Sequence, residues 1–193
     1  MSYVYVPTPY EGEAKWTKNK DKRELENRFS LPILFYQFKI NFFNLYDNRC
    51  FKCKKACTWV IDRRLWYEGA LHQWELDIDH NFPFELGGRL EEGNMVSLCK
   101  NCNSKKNKKL PKEFYSDNEL ESLERYLITQ ADLFPKKKSW EIRYKFDGLR
   151  KDEIKKILIE EYGIDKELVE ITGSVPKDGI HNYGWSTKEE EDN

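Results

Sequence analysis

The chain has 193 residues, of which 35% are charged, 39% hydrophobic and 15% aromatic. This length suits one domain with appendages, and the aromatic content can fill a core, so general disorder is not expected. No segment approaches the roughly 18 uninterrupted apolar residues of a membrane span, and the N-terminus lacks the pattern of a secretory signal. We therefore expect an intracellular, cytoplasmic protein with no membrane partner.

The net charge of −1 hides an asymmetry along the chain. Residues 1–150 carry 27 Lys and Arg against 22 Asp and Glu, whereas residues 151–193 carry 6 against 12. A weakly basic body with an acidic tail is compatible with a nucleic-acid partner, because a polyanion is attracted by local positive charge.

The N-terminal residues predict an extended arm followed by a helical flank. Ser30 is predicted to be an N-cap and Pro32 to lie in the first helical turn, where its missing N–H costs little. The apolar spacing from Leu31 to Tyr46 predicts a core helix, and Asp47 to Arg49 should end it.

The central residues predict two short strands and a helix. Glu75 to His80 alternates apolar and polar residues, as a half-buried strand does, and a glycine-rich loop separates it from a second strand at Asn94 to Leu98. A helix is predicted to begin at Lys100 and to run to about Lys109, ending near Pro111.

The C-terminal residues predict a mixed α/β flank. Asn118 to Leu133 reads as a helix with Ile128 on its apolar side, Trp140 to Phe146 as a strand, and Lys151 to Tyr162 as an amphipathic helix. Residues 174–193 are predicted to be a flexible acidic tail.

Two Cys-x-x-Cys pairs predict a structural zinc site. Cys50 and Cys53 precede Cys99 and Cys102 with 45 residues between the pairs, so the insert must hold structure of its own. Zinc binds four thiolates in a tetrahedron, and a site with no open position is structural. Cys57 stays open as an alternative ligand from the first pair.

The motif Cys-x-x-Cys, Ile-Asp-His-x-x-Pro, Gly-Gly, then Asn-x-x-x-Leu-Cys-x-x-Cys-Asn-x-x-Lys resembles the HNH (ββα-metal) endonuclease family. It matches a zinc-stapled, four-cysteine subgroup with asparagine in the last motif position. The positions are Cys50, Cys53, Ile78, Asp79, His80, Pro83, Gly87, Gly88, Asn94, Leu98, Cys99, Cys102, Asn103 and Lys106. The resemblance implies an α+β fold, a ββα-metal core with a structural zinc site of four cysteines, between mainly helical flanks.

The resemblance also implies roles for the site residues. Asp79 and Asn103 would bind a catalytic divalent metal, His80 would be the general base, and Asn94 would orient the loop that holds His80. The hard oxygen ligands favour Mg²⁺ or Mn²⁺. Asn107, one predicted helical turn beyond Asn103, is a candidate third ligand. Asp77, by contrast, is expected to be a solvated carboxylate on the opposite face of the strand.

A run of lysines follows the metal motif without an intervening acid. Its position on and just after the metal helix predicts contacts with nucleic-acid phosphates. The run comprises Lys100, Lys105, Lys106, Lys108, Lys109 and Lys112.

These features predict an HNH endonuclease that hydrolyses DNA phosphodiester bonds. We favour a restriction or defence enzyme, with a homing endonuclease, an RNA-directed nuclease and a non-catalytic zinc-stapled binding module as alternatives. The predicted segments are an N-terminal flank (1–48), the nuclease core (49–112), a C-terminal α/β flank (113–173) and the tail (174–193). The oligomeric state stays open, with a homodimer among the alternatives.

Overall fold

The computed structural model describes residues 18–56, 76–136, 141, 145–146, 148–164 and 166. The chain divides into two compact units, Met1–Lys136 and Lys137–Asn193. Several sequence-based predictions fall outside the described residues and stay predictions, namely the N-terminal arm, the acidic tail and Cys57 as an alternative zinc ligand. The four predicted segments also stay a prediction.

The centre of the first unit is a two-stranded sheet followed by a helix. Strand β1 (Leu76–His80) pairs antiparallel with strand β2 (Met95–Cys99). Helix α3 (Lys100–Lys106) begins directly after β2. Together with the helices around it, this small sheet confirms the predicted α+β class and the ββα-metal core. The helix stops at Lys106, three residues earlier than predicted, because Asn107 has a φ of +49° and breaks the helical backbone.

Two helices precede the sheet. Helix α1 spans Lys18–Asn27 and helix α2 spans Pro32–Leu45. The predicted cap at Ser30 is wrong, since Leu31 occupies the N-cap position and Ser30 has a φ of +61° in the turn between the helices. Pro32 does lie at the start of α2, where a missing N–H is tolerated.

An aromatic core holds α2 in place. Phe38 and Phe42 are 2% and 0% exposed, so this helix is packed in the interior. The ring of Phe29 lies 4.6 Å from Phe38 and 5.6 Å from Phe134, between centroids. Burying such rings removes large apolar areas from water, which makes this cluster a principal source of stability for the first unit.

Two further helices follow α3 in the first unit. Helix α4 spans Pro111–Phe114 and helix α5 spans Asp117–Thr129, after which residues 130–133 form a 3₁₀ turn. Ser116 and Glu119 form a capping box at the start of α5, which satisfies its first N–H groups. Ile128 is 59% exposed, so its predicted place on the apolar side is wrong.

Gln130 connects the end of α5 to the start of β2. Its side chain is fully buried, and its Oε1 accepts hydrogen bonds from the backbone N–H groups of Gly93 (3.1 Å) and Met95 (3.2 Å). Its Nε2 donates to the carbonyl of Met95 at 2.5 Å and to the Tyr46 hydroxyl at 3.2 Å. One buried amide therefore joins α2, α5 and the sheet.

The described residues of the second unit are helical or lie in turns. Helix α6 spans Lys151–Glu160, with Ile154 and Leu158 buried. The strand predicted at Trp140 to Phe146 is wrong, because its described residues (141, 145 and 146) are helical. Lys145 pairs with Glu161, and the helical turn carrying Phe146 packs its ring 5.8 Å from that of Tyr162.

No helix in the described part of the chain is long and apolar enough to cross a membrane.

Candidate functional site

Four cysteines from two chain segments converge on one point. The sulfur atoms of Cys50, Cys53, Cys99 and Cys102 all lie within 4.8 Å of one another. The Sγ atoms of Cys53 and Cys99 are 3.8 Å apart. A tetrahedral zinc with Zn–S bonds of about 2.3 Å places its sulfur atoms about 3.8 Å apart. The cluster therefore fits a zinc ion held by four thiolates, as the sequence spacing predicts.

Backbone hydrogen bonds shape the first cysteine turn and dock it on the sheet. The N–H of Cys50 donates to the carbonyl of Lys55, and Lys54 takes a left-handed φ of +60° to close the turn. The N–H of Phe51 donates to the carbonyl of Ser97 in β2 at 2.8 Å. The second pair is placed by β2 and α3, so the sheet brings both pairs together.

The cysteine thiols differ in acidity. Burial raises the pKa values of Cys50 and Cys102, whereas a backbone hydrogen bond from Lys55 lowers the pKa of Cys53 to about 7. A metal that binds all four must therefore displace protons from the buried thiols, which makes its affinity dependent on pH.

A pocket of about 470 Å³ is lined by residues of β1, of helices α1 and α2, and of the first turn of α3. Asp77 and Asp79 of β1 and Asn103 of α3 all line it. Asn103 Nδ2 donates to Asp77 Oδ2 at 3.3 Å. The expectation that Asp77 is a solvated carboxylate on the opposite face is wrong, because residues two apart on a strand share one face. The same alternation could have identified it from the sequence.

The carboxylate of Asp79 is positioned to accept a cation. Its Oδ2 atom is buried and makes no hydrogen bond, although the ammonium of Lys106 lies 3.0 Å away. Together with Asp77 and Asn103, it supplies hard oxygen ligands of the kind that Mg²⁺ and Mn²⁺ prefer. The residues present therefore fit a divalent metal in this pocket.

Lys106 differs from the other lysines of its run. It is 1% exposed, and its Nζ donates to the backbone carbonyl of His80 at 2.5 Å as well as pairing with Asp79. The prediction that Lys106 contacts phosphates is wrong, because its side chain is buried and bonded to the end of β1. The sequence pattern does not reveal this orientation. Its contacts hold the end of β1 against α3.

His80 occupies the end of β1 and is 7% exposed. Its Nε2 atom lies 2.6 Å from Oδ2 of Asp21 in helix α1, and that oxygen also accepts a hydrogen bond from the N–H of Leu90 at 3.0 Å. Asp21 is 3% exposed. Sequence reasoning missed Asp21, since no motif relates a residue in α1 to a histidine 59 positions later.

Asn94 holds the loop that follows His80. It is fully buried, and its Oδ1 accepts from the N–H of Phe82 at 2.5 Å. Its Nδ2 donates to the carbonyls of Arg89 at 2.8 Å and Phe82 at 3.2 Å. Gly88 packs so closely against the Phe82 carbonyl that a Cβ atom would overlap it. The loop is thus fixed from both sides.

Lysines from three helices line this pocket. Lys100 at the start of α3 lines it, as do Lys22 of α1 and Lys39 of α2, which sequence reasoning missed. Desolvation lowers the pKa of Lys39, with the charge of Glu26 opposing this effect and that of Lys22 adding to it. Among the other lysines of the run, Lys105 near the end of α3 and Lys108, Lys109 and Lys112 after it are exposed.

Asn107 does not share the pocket with Asn103. The prediction depended on a helix that continues past Asn103 for another turn, but α3 ends at Lys106. Asn107 is exposed and is not among the residues that line the pocket. Its predicted role as a third metal ligand is therefore corrected.

A family model described as HNH endonuclease matches residues 70–118 of this chain. The match includes Asp79, His80, Asn94 and Asn103 together with the second cysteine pair. It supports a nuclease-type function with a nucleic-acid substrate for this part of the chain. Cys50 and Cys53 lie outside it. No curated protein and no solved structure gives a significant match.

Proposed function

We propose that this protein is a divalent-metal-dependent HNH endonuclease that hydrolyses phosphodiester bonds in DNA. The observation that supports this most strongly is the pocket at the end of β1. It contains the oxygen ligands Asp79 and Asn103, and His80 also lines it. The match to the HNH endonuclease family covers these residues. The four cysteines would hold a structural zinc ion.

Asp79 and Asn103 bind the catalytic metal, for which Mg²⁺ or Mn²⁺ is the expected ion. When bound, the metal supplies a positive charge that stabilises the oxygens of the scissile phosphate as negative charge develops. Asp77 assists by accepting the hydrogen bond from Asn103, which orients the side-chain amide and directs its oxygen away from that carboxylate.

His80 acts as the general base. A neutral imidazole takes one proton from a water molecule while the water oxygen forms a bond to phosphorus. The bond from phosphorus to the leaving oxygen breaks, and solvent protonates that oxygen. Asn94 keeps the loop after His80 in place through its three hydrogen bonds, so that the base is held in a constant position.

The lysines bind the DNA strand. Lys100 lies on the pocket wall, Lys105 is exposed on the same helix, and Lys108 and Lys109 are exposed just after it. Lys22 and Lys39, which also line the pocket, add positive charge. Ammonium groups at these positions neutralise phosphates on either side of the cleaved bond, so binding weakens as salt concentration rises.

The test is cleavage of supercoiled plasmid and of single-stranded DNA with Mg²⁺, Mn²⁺ or EDTA. The His80→Ala variant should lose cleavage while it keeps its zinc and its circular dichroism spectrum, and His181→Ala is the matched control. Metal-dependent cutting that survives in His80→Ala would refute the assignment of the base. An RNA substrate tested in parallel shows whether the protein cuts RNA instead of DNA.

We further propose a restriction or defence role, for which discrete plasmid fragments are the expected result. A homing endonuclease would also give discrete fragments, but from one long and rare site. Zinc-containing protein that binds DNA in a salt-dependent way without cutting DNA or RNA would instead establish the non-catalytic binding module.

A further inference from the structure

Helix α1 contributes a carboxylate to the environment of His80. The Asp21 Oδ2 to His80 Nε2 distance of 2.6 Å is that of a charge-assisted hydrogen bond, and both side chains are largely buried, at 4% and 8% exposed. The two residues belong to elements 59 positions apart in the chain. A burial of this depth is costly for a carboxylate unless it is hydrogen-bonded, and the Oδ2 atom of Asp21 has two hydrogen-bond partners.

The position of Asp21 is set independently of His80. The same Oδ2 atom accepts the N–H of Leu90, a residue in the loop between the two strands. One turn further along α1, Leu25 is 3% exposed, so the helix is anchored by apolar packing as well. Asp21 is therefore part of the folded core, and its carboxylate is a hydrogen-bond acceptor held in a fixed position beside the imidazole of His80.

A carboxylate that accepts from one ring nitrogen determines which tautomer a neutral histidine adopts. With the proton held on Nε2 by Asp21, the lone pair is on Nδ1, and Nδ1 becomes the atom that can take a proton. The carboxylate also stabilises the positive imidazolium that forms after this transfer. An orienting group behind the base recurs in active sites that use a histidine base.

We propose that Asp21 is the positioning residue for His80, holding it as the Nε2–H tautomer so that Nδ1 is the basic atom. This inference rests on the proposed nuclease function, and it extends the active site to helix α1, outside the segment that matches the family. Asp21 contacts neither substrate nor metal in this proposal, and it acts through His80 alone.

The first test is a spectroscopic one that needs no substrate. The chain has three histidines, so the double variant His72→Gln, His181→Gln leaves His80 as the sole imidazole. A long-range ¹H–¹⁵N correlation spectrum, which links the ring nitrogens to the protons on the ring carbons, distinguishes a protonated from an unprotonated nitrogen. In the neutral ring, we expect Nε2 to be protonated and Nδ1 to be unprotonated. The opposite tautomer would overturn the proposal without any variant of Asp21.

The second test replaces the carboxylate by its isostere. In Asp21→Asn, the spectrum should change to a mixture of tautomers, and the single-turnover cleavage rate should fall by about tenfold to a hundredfold. The affinity for DNA measured without cleavage should change by less than about twofold, because Asp21 does not contact the substrate. Glu24→Gln makes the same chemical change on the exposed side of α1 and should match wild type.

The outcomes separate the two proposals. Wild-type protein that cuts no nucleic acid would overturn the proposed function, whereas the spectrum would still decide whether Asp21 sets the tautomer. An Asp21→Asn variant that keeps the wild-type tautomer, or that cuts at the wild-type rate, would overturn the role of Asp21 alone. A variant that cuts faster would also overturn it, since the contact between Asp21 and His80 would then inhibit cleavage.

Discussion

The replacement Asn94→Asp tests the two hydrogen bonds that the buried side chain of Asn94 donates. The change keeps volume and retains an oxygen to accept the Phe82 N–H, but it removes the donor that serves the carbonyls of Arg89 and Phe82. Two hydrogen bonds worth about 0.5–1.5 kcal/mol each are lost, and an oxygen then faces two carbonyl oxygens. We expect the free energy of unfolding to fall by about 2–4 kcal/mol at pH 7, allowing for the buried charge.

Urea unfolding followed by far-ultraviolet circular dichroism measures this change, with zinc saturating in every sample. Asn118→Asp is the matched control, because Asn118 is exposed in the first turn of α5, where a negative charge interacts favourably with the helix dipole. We expect that control to equal or slightly exceed wild type. The cost of Asn94→Asp relative to the control should shrink at acidic pH, where a protonated carboxyl can again donate.

An Asn94→Asp variant that unfolds within about 0.5 kcal/mol of the control would refute the argument that Asn94 fixes the loop by donation. A loss that is the same at pH 5 and pH 8 would refute the part assigned to charge.

Three further predictions follow from the site and its supports. Cys53→Ser should bind well under one zinc per chain by metal analysis and unfold at lower urea, while Cys57→Ser should keep one zinc; equal zinc contents would contradict the assigned set. Lys106→Met should lower the free energy of unfolding by about 1–3 kcal/mol through its two lost partners, and exposed Lys105→Met should leave it nearly unchanged, so equal effects would contradict the buried placement. Burial opposes ionisation of Glu119, but the hydrogen bonds it accepts outweigh this and lower its pKa. Its charge therefore stabilises the fold fully above the unfolded value of about 4.3. The roughly 0.5–1 kcal/mol lost in Glu119→Gln should diminish as pH falls below that value and vanish below the lowered pKa of the folded state.

The sequence predicted the local parts of the site because their chemistry demands local spacing. Two thiols three residues apart, such as Cys99 and Cys102, can reach one metal only from a tight turn or a helix start, and Asn103 follows directly. The strand that presents Asp79 was likewise readable from its alternation. Asp77 was predictable on the same ground but was assigned to the wrong face.

The parts that could not be predicted depend on partners distant in the chain. Asp21 reads as an ordinary helix residue until the fold brings it to His80, and Gln130 reads as an exposed amide near a helix end. Lys106 looks like its neighbours in a basic run, and only the packing of α3 on β1 distinguishes it from them. The mistaken strand at Trp140 to Phe146 came from judging a short aromatic segment by propensity, which tertiary context overrides.

The buried amide of Gln130 also determines how small an autonomously folding piece of this protein can be. A peptide limited to residues 70–118 would keep the whole ββα motif, yet it would lack two of the four thiols and the side chain that pairs with the N–H groups of Gly93 and Met95. Such a peptide should not fold with zinc alone. Residues 18–136, which include helix α1 and Gln130, contain every described contact of the site, so a fragment that keeps the site intact should need that whole length.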